Sequence, residues 1–154
     1  MNHKRIRIAL VAIEALIGLA ATGGGITILT RAFHFDQWLP VAWLQGMPFS
    51  DYTIPGLLLL IVIGGGMLLA AATAFIQREW ALLLSAAMGL IMVGFEIVEA
   101  AIIDRFEQAV VPSTVVQQVF MAGLGLVIFG LAAFLWMIEY RGHSFLKRHA
   151  GHVQ

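Results

Sequence analysis

Cysteine is absent from the 154-residue chain, which removes disulfides, thiolate metal sites, thiol redox catalysis and Fe–S clusters from consideration. Charge is scarce: Asp, Glu, Lys and Arg make up 12% of the residues, and nine basic residues balance nine acidic ones. A chain without net charge has no general electrostatic pull on a polyanion, so no nucleic-acid partner is expected. The histidines His3, His34, His143, His149 and His152 all lie outside the apolar runs, which argues against a pair of axial haem ligands inside a helical bundle. The Gly triplets lack a following Lys-Ser or Lys-Thr, there is no HExxH, and no Ser has a His and an acid placed to activate it. No catalytic residue, metal or cofactor is expected.

What the chain does contain is apolar. Hydrophobic residues make up 60% of it and the mean hydropathy is +0.91, against about 45–50% apolar in soluble domains. A membrane-crossing helix needs about 20 mostly apolar residues, and four stretches qualify: 8–30, 55–76, 80–103 and 114–138. The first follows a basic start but runs too long for a signal peptide and contains Glu14, so it reads as an uncleaved helix. The fold class expected is all-α: one polytopic membrane domain over 1–154, an antiparallel four-transmembrane-helix bundle with a structured aromatic loop at 31–54 and a basic tail at 139–154.

Basic residues orient it. Lys4, Arg5, Arg7, Arg78, Arg141, Lys147 and Arg148 fall on one side and Arg31 and Arg105 on the other, which places both termini in the cytoplasm of an inner membrane. The tail reads as a juxtamembrane segment that meets anionic lipid. Glycines inside the spans suggest close helix approach, at Gly66 with Ala70, Gly125 with Phe129 and Gly130, and Gly89 with Ser85. Gly64-Gly65-Gly66 also allows an unwound segment.

Three carboxylates lie within spans, each costing about 2.5–3.5 kcal/mol to insert. Glu96 and Glu99 are spaced i,i+3 and continue a small, polar stripe of Ser85, Gly89 and Met92, so this face should turn inward. Two carboxylates one turn apart in low dielectric do not both ionise. At matching depth are Thr27, Thr30, Gln117 and Gln118, which makes Glu96, Glu99, Gln117, Gln118 and Thr27 the candidate ion or polar-ligand site. The other reading is a set of hydrogen bonds that hold helices together. Glu14, level with Thr73 and Ser85, is on the order of 15 Å away in depth by helical rise and reads as a separate carboxylate, structural or reaching toward Arg7.

The loop holds Trp43, Phe49, Asp51 and Tyr52, either an interfacial anchor of Trp and Tyr or a lid over the Glu99 end. Ser50 and Asp51 can cap local amides, Thr53 suits the N-cap of the second helix, and Pro55 fits its first turn.

The run from Trp43 through Tyr52 (WLQGMPFSDY), then Pro55-Gly56-Leu57, Phe95 to Glu99, and Gln117-Gln118-Val119-Phe120 with Gly123, resembles a widespread group of small, uncharacterised, four-span bacterial integral membrane proteins. Here Phe95 stands where that group has Trp, Val116 where it has Leu, and Glu96 is an additional carboxylate. The resemblance implies the topology and a bacterial cell membrane, and favours Glu99 as the shared feature. It implies no reaction.

Three functional readings follow. The first is a non-enzymatic accessory or structural membrane subunit, within a homo-oligomer or larger complex in the lipid bilayer. The second is a small homo-oligomeric transporter or proton- or cation-coupled permease using Glu96 and Glu99. The third and least supported is a membrane enzyme or quinone-type redox protein.

Overall fold

In a computed structural model, which describes residues 3–32, 44, 49–103 and 112–139, the regular structure is entirely helical. The elements are α1 (His3–Thr30), α2 (Thr53–Phe75), α3 (Glu79–Ile103) and α4 (Pro112–Glu139). All four are long and apolar enough to cross a membrane, so the chain reads as a multi-pass membrane protein. Each helix begins before its apolar stretch, most of all α1, because the polar residues His3, Lys4 and Arg5 still favour or tolerate helix once it has left hydrocarbon, while α2 ends one residue short of the expected 76.

Neighbouring helices run in opposite directions. Gly18 lies against Leu68, Gly64 against Thr22, Gly25 against Leu60 and Gly56 against Ile28, so the α2 partner falls as the α1 number rises. Gly125 of α4 meets Gly89 and Val93 of α3, and Gly89 in turn meets Ile128 and Phe129. Residues 76–78 reverse the chain between α2 and α3. Gln77 takes a left-handed φ of 62° there, and its N–H donates to the Ala74 carbonyl at 3.2 Å, a helix-ending geometry usually given to glycine. One core joins all four helices, with Leu10 and Ile17, Ile63 and Met67, Leu82 and Met92, and Ile128 and Leu135 as its central residues.

Two local expectations are corrected. Thr53 is the first helical residue of α2 and not its cap. Its own N–H is satisfied from outside, by Asp51 Oδ1 at 2.9 Å, while the Tyr52 carbonyl accepts from Gly56 at 2.8 Å. The short Asp side chain therefore takes the capping role one residue outside the turn. Second, α2 does not unwind at its glycine triplet. Leu58–Gly65 widens into a π-helical segment and returns to α-helix at Gly66. The i→i+5 bonds of that segment keep backbone groups satisfied where hydrocarbon offers no other partner.

The glycines divide into two sets. A Cβ at Gly89 would stand 2.6 Å from the Gly125 carbonyl oxygen and 2.8 Å from the Phe129 nitrogen, and one at Gly125 would stand 2.8 Å from the Gly89 oxygen. These obstacles are backbone and cannot swing aside. At Gly94, Gly123 and Gly130, by contrast, a Cβ would meet nothing within 4 Å. The expected packing role thus holds at Gly89 and Gly125 but not at Gly130, which faces outward. Gly66 meets only the flexible end of Met88.

Gly89→Ala and Gly125→Ala should each lower the thermal stability of the protein in detergent by the equivalent of about 1–3 kcal/mol, the usual cost of overpacking. Gly94→Ala, on an open face of the same helix, should be neutral or gain up to about 1 kcal/mol from helix propensity. Equal losses at Gly89 and Gly94 would contradict the close approach.

Candidate functional site

The α3 stripe is arranged as its spacing predicts: Ser85, Met88, Gly89 and Met92 are buried. Glu96 and Glu99 continue it as half-buried side chains at the end of the bundle where α2 begins, called distal below. The two carboxylates are close enough for their charges to interact, and Glu99 has the Gln118 side chain beside it. Gln118 Nε2 is nonetheless buried with no hydrogen-bond partner, so the two approach without forming a bond of normal geometry.

The structure does not bring together the whole candidate set. Gln117 is exposed on the outer surface of α4; consecutive helical residues point about 100° apart, so only one of the Gln pair can turn inward. The Thr27 hydroxyl is spent within its own helix, donating to the Gly23 carbonyl at 2.9 Å, and Thr30 does the same to Ile26 at 2.7 Å. The site that forms is Glu96, Glu99 and Gln118. Among the described residues no group of three or more His, Cys, Asp or Glu could hold a metal ion.

Trp43, most of the 31–54 loop and the tail beyond Glu139 lie outside the described residues. Within the loop, Leu44 is buried and Phe49, Asp51 and Tyr52 are half-buried. Tyr52 and Asp51 are at the entrance of α2, at the same end as Glu99. Burial pushes the Tyr52 phenol up from its ordinary value. The backbone N–H of Thr53 holds the Asp51 carboxyl below the usual carboxylate range, its hydroxyl helps, and Arg31 adds a smaller pull against slight desolvation.

The opposite end of the bundle holds groups that spacing alone did not connect. Arg7 is buried, donates to the Ala74 carbonyl of α2 at 3.3 Å and forms an ion pair with Glu139 of α4. It thereby ties three helices, and Glu14 does not receive it. Glu14 and Ser85 are both fully buried, side by side across the bundle. Neither Glu14 oxygen nor the Ser85 hydroxyl has a hydrogen-bond partner. Thr73, at the same level, satisfies its hydroxyl on the Leu69 and Ala70 carbonyls at 2.8 and 3.0 Å.

No family model matches this chain, and no curated protein or solved structure matches it.

Asp51 gives a pH-dependent prediction. Its carboxyl is depressed in the folded protein, so the stabilisation is present above the unfolded value and is lost as pH falls through the folded one. Asp51→Ala should lower the thermal midpoint at pH 7, and the difference from wild type should shrink below about pH 4, the ordinary Asp range. Asp51→Asn, which can still accept from Thr53, should keep most of the stability at pH 7. A pH-independent loss in Asp51→Ala would assign the effect to something other than the carboxylate.

Proposed function

We propose that this is a non-enzymatic, multi-pass protein of a bacterial inner membrane, with both termini in the cytoplasm, that works as an accessory or structural subunit by lateral helix association with a second copy or a larger complex. The observation that carries this reading is the outer face of α4. Phe120, Gly123, Val127, Gly130 and Phe134 repeat at alternating spacings of three and four and lie within one side of the helix. Phe120 is 60% exposed and Val127 47%, and the two glycines between these large side chains have open space in front of them. Between helices in lipid there is no hydrophobic drive, so association rests on close packing, and a face of alternating large and small residues allows it. The distribution of Lys and Arg supports the orientation, and the WLQGMPFSDY loop with its Pro-Gly-Leu continuation supports the bacterial source.

The chain has no native thiol, so each part is open to single-cysteine chemistry. A cysteine at Val127 should form a disulfide-linked dimer on oxidation of intact membranes, and one at the exposed Leu69 of α2 should not. Gly130→Leu, which fills the groove, should reduce cross-linking from Val127 at least several-fold. Equal cross-linking from both sites, or none from Val127 together with no copurifying partner, would overturn the association. Labelling of a cysteine at Ser50 from the cytoplasmic side alone would overturn the orientation.

A second reading has its own observation. Two carboxylates inside a span, with the Gln118 side chain beside Glu99, suit a proton or monovalent cation site, as in a small homo-oligomeric permease. In liposomes, Glu99→Gln should then abolish a proton or cation flux that the wild-type protein supports. If stability and every such flux are unchanged, that reading fails.

A further inference from the structure

Glu14 occupies the most demanding position in the bundle. It lies at a core position of the α1 series Arg7, Leu10, Glu14, Ile17 and Ala21, all of them buried. It has Ser85 of α3 across the interior, and both residues are fully covered. Their three side-chain oxygens approach one another but form no hydrogen bond of normal geometry. A carboxylate left charged and unpaired there would carry an uncompensated desolvation cost, and even a neutral carboxyl needs an acceptor for its proton.

The surroundings limit what can meet that need. Arg7, the nearest cation on α1, is two turns away, roughly 10 Å by helical rise, and already holds Glu139 of α4 and the Ala74 carbonyl. α2 contains no Asp, Glu, Lys, Arg or His at all, and α3 offers Ser85 at this level, its carboxylates being Glu79 at its first residue, six positions before Ser85, and Glu96 and Glu99 at the distal end. The Thr73 hydroxyl is donated to its own helix. Three oxygens from two residues fall well short of the six to eight that a divalent cation such as Ca²⁺ takes. A proton suits the pair, because a hydroxyl and a carboxyl can both give and accept.

We propose that Glu14 and Ser85 form an internal proton-binding site, in which Glu14 reversibly takes a proton from water entering at the end that carries the chain termini, and Ser85 shares it through a bridging water molecule. The proton comes from bulk water and returns to it, leaving the carboxylate. Arg7 and Glu139 stand between the site and that end on the same side of α1, which makes their ion pair the barrier that exchange must pass. This site is independent of the lateral association proposed above and of the Glu96 and Glu99 pair.

Infrared difference spectroscopy of the full-length protein in liposomes tests it. A protonated-carboxyl C=O band should change intensity with pH, shift in D₂O within minutes, disappear in Glu14→Gln and change frequency in Ser85→Ala. Should Glu14→Gln fail to fold, the D₂O shift and the Ser85→Ala change decide between the outcomes. A Glu14 band that resists D₂O for many hours would mean a sealed structural proton and overturn the proposal. So would the absence of any band sensitive to Ser85→Ala, or a band abolished by Glu99→Gln and untouched at Glu14.

Discussion

The bundle depends on how closely α3 and α4 approach at Gly89 and Gly125. In lipid, two apolar helix surfaces gain little by leaving the solvent, since the acyl chains are as apolar as the side chains they replace. Association must come from contact itself, and contact is densest where backbones touch. Gly89 and Gly125 each present a carbonyl to the space where the other's side chain would be. α1 and α2 approach backbone to backbone at Gly18, Gly25 and Gly64, and Gly56 seats the Ile28 side chain, so two tightly joined helix pairs close on a shared core of Leu, Ile and Met.

That closeness determines where polar groups can exist. α1 carries Glu14 into the centre of the terminal half, and no helix supplies a charged partner at its level. Arg7 lies two turns away and is engaged by Glu139, an arrangement that ties α1, α2 and α4 together at the end where the helices emerge. Removing either member of that pair would leave the other partly buried and uncompensated, which is why such pairs persist even when they add little net stability. Glu96 and Glu99, at the distal end, are only half-covered.

Much of this was legible in the chain. Four apolar runs gave the helices to within a few residues, because the requirement to span hydrocarbon leaves few alternatives, and the alternating four- and three-residue spacing of Ser85, Gly89, Met92 and Glu96 located the inward stripe of α3. What was not legible depended on partners. The choice between Gln117 and Gln118 turns on the rotation of α4, which its own apolar residues constrain weakly when lipid lies on the outer side. Thr27 has an acceptor one turn back in its own helix, a competitor invisible to depth arguments. Glu14 was more readable than its depth suggested: the heptad of Arg7, Glu14 and Ala21, with Leu10 and Ile17 between, marks it as core. The π-helical segment of α2 leaves no trace beyond three adjacent glycines.

The two polar levels do not form one path. Between Ser85 and Glu96 the α3 stripe consists of Met88, Gly89 and Met92, all buried, and it is there that Gly125 closes on the backbone. Water could thread that stretch only if α3 and α4 separated, which would give up the contact that holds them. Glu14 and the Glu96–Glu99 pair are therefore separated in the resting bundle by a buried stretch without a polar side chain on the α3 stripe. Coupling between them would require motion at Gly89, and the same contact that makes the fold possible would be the gate.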